Sequence, residues 1–103
     1  MTITASIVTY KTDPEELCRC IDSLTGNGID HIIISDNSPT DALRTFCAEH
    51  KQLEYIFNNS NAGYAAGHNI AIKRALDINT TYHLVINSDV YFENGVIEKI
   101  IQY

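Results

Sequence analysis

From Ile3 to Thr9, apolar and β-branched residues fill both phases of a two-residue alternation, the pattern of a strand buried on both faces of a parallel sheet. Asp13-Pro14-Glu15-Glu16 follows as an N-cap, a first-turn proline and a capping acid, with both glutamates near the positive end of the helix dipole. Leu17, Cys20, Ile21 and Leu24 then recur at i, i+3, i+4 and i+7, and Gly26-Asn27-Gly28 closes the helix. A second unit repeats the plan. His31 to Ser35 reads as a strand stopping at Asp36-Asn37-Ser38, and Ser38-Pro39-Thr40-Asp41 reads as the cap of a helix whose inner face is Leu43, Phe46, Cys47 and His50. Leu53 to Phe57 is the third strand, followed by a polar turn over 58–63 and a helix lined by Ala65, Ile72, Ala75 and Leu76. Tyr82 to Ile86 is the fourth strand, and Asn94 caps a last helix carrying Val96, Ile97, Ile100 and Ile101.

Four strands alternating with four helices predict an α/β fold: a Rossmann-like, doubly wound, mainly parallel sheet of order 3-2-1-4 with helices on both faces. The 103 residues make one domain. The four-residue apolar stripe at the last helix predicts a face covered by further chain beyond Tyr103, and makes self-association into a homo-oligomer an open option.

A net charge of −6 without any Lys/Arg cluster argues against nucleic acid or an anionic membrane surface as a direct partner. No apolar run is long enough to span a bilayer, and no signal-peptide pattern opens the chain, so a cytoplasmic protein is the expectation. Three cysteines do not make a disulfide framework there, and Cys18 and Cys20, two apart on a helix, point to opposite faces. The Asn58 and Asn79 glycosylation sequons are then coincidental.

Candidate chemistry gathers at the strand ends. In the order 3-2-1-4 the first and fourth strands flank the topological switch point, so Thr9-Tyr10, Asp36 and Asn87/Asp89 are expected around one crevice. Asp89 is a hard oxygen ligand suited to Mg²⁺ or Mn²⁺, with Asn87 one strand period away on the same side. By itself Asn87-Ser88-Asp89 is also an ordinary turn composition. Gly63 and Gly67 admit two readings: close approach of backbone to an anionic ligand at a helix start, or small residues packing helix on sheet. His68 and Asn69 either face the crevice or are polar first-turn residues. The segment matches neither a P-loop nor G-x-G-x-x-G. A nucleotidyltransferase would carry a glycine-rich basic loop where this chain has Lys11-Thr12-Asp13-Pro14, and a receiver domain an acidic pair after the first strand.

Four segments, in order and spaced alike, carry a family resemblance: Ser6 to Tyr10, Ile34 to Ser38, Asn61 to Asn69, and Leu84 to Val90. Together they resemble the amino-terminal, nucleotide-sugar-binding portion of a family 2 glycosyltransferase of the GT-A fold, over nearly the whole chain. The resemblance implies that Asp36 hydrogen-bonds the donor's base or ribose, that Thr9 and Tyr10 line the nucleoside pocket, and that Asp89 holds the Mg²⁺ or Mn²⁺ against the diphosphate. The family's Asp-x-Asp pattern is Asn87-Ser88-Asp89 here, similar to the Asn-Pro-Asp of rhamnosyltransferase-like members, which makes Asn87 a water or ribose contact. It further implies an inverting transfer from a nucleoside-diphosphate sugar, dTDP-rhamnose being a first guess, to a saccharide or lipid-linked acceptor in surface polysaccharide synthesis. The catalytic base belongs to the acceptor half, beyond this chain, and the work is done in the cytoplasm or at the membrane's inner face. The alternative is a non-catalytic nucleotide-binding or partner-docking module on the same fold.

Overall fold

A computed structural model describes residues 2–29, 31–59 and 63–102. Four strands, β1 (Ile3–Thr9), β2 (His31–Asp36), β3 (Leu53–Phe57) and β4 (Tyr82–Asn87), alternate with α1 (Pro14–Gly26), α2 (Arg44–Ala48), α3 (Tyr64–Ile78) and α4 (Val96–Gln102). The sheet is parallel throughout, in the expected order β3-β2-β1-β4. Its register pairs Thr9 with Asp36, Asp36 with Phe57, and Val8 with Asn87, so the strands end level along one edge.

Strand alternation divides the core. Ala5, Ile7, Ile32, Ile34 and Ile86 face one way and pack against Leu17, Ile21 and Leu24 of α1, Cys47 of α2 and Ile97 of α4. Ile33 faces the other way, against Ala71 and Ala75 of α3. Helices therefore cover both faces, three against one. Cys20 is buried and Cys18 half-buried, as their spacing requires.

Several local expectations are corrected. Pro14 does open α1, and Asp13 has the extended backbone of an N-cap, but its side chain makes no capping bond and lines a cavity instead. Ser38-Pro39-Thr40-Asp41 starts no helix: the Ser38 hydroxyl accepts the Lys11 N–H at 2.8 Å, and its own N–H goes to Asp36 at 3.0 Å. With the capping hydroxyl engaged, α2 is delayed to Arg44, although Leu43 and Cys47 still face the core. On α3 the inward line is Gly67, His68, Ala71 and Ala75, while Ala65 and Leu76 are exposed. Before α4, Asn27 takes the capping role assigned to Asn94. Its Oδ1 accepts the Ile97 N–H at 3.2 Å, and its Nδ2 donates to the carbonyls of Ser23 at 2.7 Å and Glu93 at 3.1 Å. One amide thus seats α4 on the end of α1.

The face under α3 is polar. The Thr80 hydroxyl lies 2.7 Å from the Tyr82 carbonyl and 3.2 Å from that of Thr2; carbonyls only accept, so Thr80 donates there and accepts from Thr4 at 3.1 Å. Thr4 has then used its proton and accepts from Nδ1 of His83 at 2.7 Å. Nε2 of His83 accepts from Ser6 at 3.0 Å, and Ser6 accepts from Nδ1 of His68 at 3.0 Å. The direction of the whole chain, and the Nδ1–H tautomer of both rings, follows from its carbonyl end. Burial lowers the pKa of His68, with His83 nearby adding to the effect, and burial likewise lowers that of His83.

Two outcomes follow from this packing. The folded pKa of each histidine lies below the ordinary 6.5, so the unfolded chain binds more protons below that value. Their contribution is complete above about pH 6.5 and is lost as the pH falls through the lowered folded values; thermal melts of wild type and His68→Gln/His83→Gln across pH 5 to 7.5 (about) should show a steeper decline for wild type. Asn27→Ala, which removes three side-chain bonds, to Ser23 of α1, to Glu93 before α4 and to Ile97 of α4, should cost about 1–2 kcal/mol in urea denaturation.

Candidate functional site

Asp36 ends β2 wholly buried, at 0% exposure. Its Oδ1 accepts from the Thr9 hydroxyl at 2.9 Å and the Ser38 N–H at 3.0 Å, and its Oδ2 from the Tyr55 hydroxyl at 2.5 Å. Three protein donors offset the cost of burying this carboxylate. Thr9, also at 0% exposure, therefore lies beneath the site as a donor to Asp36, not as a pocket wall. Tyr10 is half exposed, with the Lys11 ammonium 5.4 Å from its ring centroid. Lys11 takes a left-handed φ of 50°, which turns the chain so that its N–H meets Ser38. Above Asp36 is a cavity of about 340 Å³ walled by Pro14, Pro39, Ala42 and Leu43, with Lys11 and Thr40 also lining it.

A second cavity, of about 240 Å³, lies at the end of β4 against the first turns of α1. Asp89 lines it together with Asp13, Glu16, Arg19, Ser88 and Tyr91, and Ser88 donates to Glu16 at 3.2 Å. The expected single crevice is thus two cavities, with Lys11–Pro14 bordering both. The turn 87–90 is closed by Val90 N–H to Asn87 carbonyl at 3.1 Å. Because β4 ends at Asn87, the alternation does not reach Asp89. Asn87 emerges on the α3 side of the sheet, opposite in phase to Ile86, whereas Asp89 faces α1; the same-side expectation is corrected by that turn. Buried Cys20 donates to the Asn87 carbonyl at 3.7 Å, and its thiol is pushed up to about 12 by burial first and the charges of Asp89 and Glu16 second.

The carboxylates and hydroxyl around Asp89 are hard oxygen donors, the set that suits Mg²⁺ or Mn²⁺. Among the described residues no three ligating side chains converge, so such an ion would need its remaining ligands from water and a bound phosphate.

The β3–α3 turn is tied to the same edge. Asn37 donates to the Gly63 carbonyl at 3.0 Å and accepts from Asn58 at 2.7 Å, and Asn58 also donates to Ser35 at 2.9 Å. Gly63 has a φ of 99°, open to glycine. A Cβ on Gly67 would stand 3.0 Å from both Val8 methyls and from Asn37 Nδ2, so Gly67 serves close helix-on-sheet packing. Asn61 and Ala62 of the motif, and Ser60 of the turn before it, lie outside the described residues. Buried His68 points to Ser6 on the α3 face, not to either cavity. Tyr55, Asn37, Asp13 and Glu16 are site residues that sequence reasoning did not single out; two-residue alternation puts Tyr55 in phase with Leu53, but only the β2–β3 register brings it to Asp36.

Urea denaturation separates the two acids. Asp36→Ala leaves three donors without their acceptor and should cost about 2–4 kcal/mol, whereas exposed Asp89→Ala should stay within about 0.5 kcal/mol of wild type.

The chain's residues 4–103 match the model of glycosyl transferase family 2. It is also 33% identical over 95 residues to the low-salt glycan biosynthesis hexosyltransferase Agl10 of Haloferax volcanii. That alignment covers 91% of this chain and 30% of the relative, so the chain spans about a third of the length of the protein it matches. The parallel 3-2-1-4 sheet, with acidic residues at the ends of its second and fourth strands, agrees with this match over almost every residue: the chain belongs to glycosyl transferase family 2.

Proposed function

We propose that this chain is the donor-binding portion of an inverting glycosyltransferase that moves a sugar from a nucleoside diphosphate to a growing glycan. The observation that carries the reading is the pair of cavities on one sheet edge: a mainly apolar one floored by a buried carboxylate, and an oxygen-lined one holding Asp89. A mainly apolar slot with a carboxylate acceptor at its base suits a nucleobase bearing N–H donors, and an oxygen-lined cavity next to it suits a diphosphate with a divalent ion. The name of the haloarchaeal relative supports a hexose and a glycan acceptor. The choice of dTDP-rhamnose rests on the Asn87-x-Asp89 pattern alone.

In this reading Asp36 accepts from the base and the exposed Tyr10 ring gives it a stacking surface, while Asn87, on the α3 side of the sheet, takes no part in either cavity. Asp89 holds Mg²⁺ or Mn²⁺, with Glu16 and Ser88 bordering it. The ion, when bound, supplies charge stabilisation for the departing nucleoside diphosphate. Inversion needs a base opposite the leaving group. Of the carboxylates after Asp89, Glu93 and Glu98 are exposed beside or on α4, and neither lines the two cavities. We therefore place the base in the part of the relative that this chain does not span, and the acceptor, saccharide or lipid-linked, there as well. Among the described residues no helix is long and apolar enough to cross a membrane.

Calorimetric titration of UDP, dTDP and GDP into the chain, with and without Mn²⁺, tests this. Binding should strengthen with Mn²⁺, the Mn²⁺-dependent part should vanish in Asp89→Ala, and no sugar should be transferred. Equal binding by Asp89→Ala and wild type at every Mn²⁺ concentration would remove the metal assignment, and transfer by the chain alone would remove the division of labour.

A further inference from the structure

We propose that Tyr55 is the positioning residue of the nucleoside cavity, acting through Asp36 to aim the acceptor capacity that this carboxylate keeps for a ligand; the inference rests on the donor-binding reading above. A carboxylate oxygen accepts about two hydrogen bonds. Oδ1 of Asp36 already has two, from Thr9 and the Ser38 N–H. Oδ2 has one among the described residues, from Tyr55. The remaining acceptor capacity of this buried group therefore sits on Oδ2, and Tyr55 is the residue that holds Oδ2.

Tyr55 is itself held from the outer wall of the same cavity. The Arg44 guanidinium stands 5.2 Å from its ring centroid, within cation–π range, and Arg44 is paired with Asp41 at 2.9 Å. Arg44 follows Ala42 and Leu43, which wall the cavity. One aromatic side chain thus ties the floor of the cavity to the start of α2: hydroxyl to Asp36, ring face to Arg44, the residue after Leu43. Burial, and after it the hydrogen bond to Asp36, raise the Tyr55 pKa above its ordinary value, so the hydroxyl keeps the proton it donates. Loss of that donor would leave the carboxylate held through Oδ1 alone and free to present Oδ2 in more than one direction.

The test is a double-mutant cycle read by ligand binding. Tyr55→Phe keeps the ring and its contact with Arg44 and removes only the hydroxyl; Asp36→Asn alters the group it acts through. Affinity for UDP, dTDP and GDP is measured by calorimetry with Mn²⁺ for wild type, both single variants and the double variant, and inorganic pyrophosphate serves as the probe lacking a base. Thermal melts verify that each variant is folded. The expected result is that Tyr55→Phe weakens the best nucleoside diphosphate about tenfold and narrows the differences among the three bases. Pyrophosphate should be unaffected, and the substitution should have no further effect in the Asp36→Asn background. A general loosening of the fold would weaken pyrophosphate equally, and that result overturns the proposal, as do wild-type affinities in Tyr55→Phe or additive effects with Asp36→Asn. Should Asp36→Asn not fold, the base-against-pyrophosphate comparison in Tyr55→Phe alone decides. If wild type binds pyrophosphate but no nucleoside diphosphate more tightly, the donor-binding reading falls, and this inference with it.

Discussion

A carboxylate at the end of a buried parallel strand has to find donors, and the surroundings of Asp36 are arranged by that requirement. The β1–β2 register places Thr9 opposite it, the turn after β2 returns the Ser38 N–H, and the β2–β3 register brings Tyr55 across. The same demand shapes the neighbouring loops. The Ser38 hydroxyl serves Lys11 and α2 begins only at Arg44, so residues 39–43 stay irregular, and Pro39, Thr40, Ala42 and Leu43 line the cavity.

The opposite face of the sheet meets a related constraint by different means. Thr4, Ser6, His68 and His83 are polar groups beneath a helix, and each hydroxyl there both accepts and donates in one direction toward backbone carbonyls. Neutral rings are required for that chain, and burial supplies the lowered pKa values that keep them neutral. The sheet therefore has an apolar face under three helices and a polar, hydrogen-bonded face under one, joined along the edge that carries the cavities.

The proposed donor-binding role rests on that edge. A family 2 glycosyltransferase chain with the 3-2-1-4 sheet has its first strand central, so loops from β1, β2 and β4 meet around the start of α1. Lys11–Pro14 then borders two cavities of different chemistry, one mainly apolar and one lined by oxygen. A nucleotide offers the same two chemistries in the same sequence, an aromatic base and a diphosphate.

Alternation of strand and helix patterns determined the element order, and with it the sheet order, because right-handed crossovers leave few arrangements of four βα units. The strand-end acids Asp36 and Asp89, the buried stripe of α1 and the opposed cysteines were also legible, since each depends on spacing within one element. Tertiary structure alone decided the rest. The delayed start of α2, the capping of α4 by Asn27 and the service of Tyr55 and Thr9 to Asp36 all rest on hydrogen bonds between segments apart in the chain, whereas Asn87 and Asp89 are separated by the tight turn that ends β4. A local pattern states which side chains a residue's own element turns inward; which donor it meets there is set by the register of the neighbouring strand.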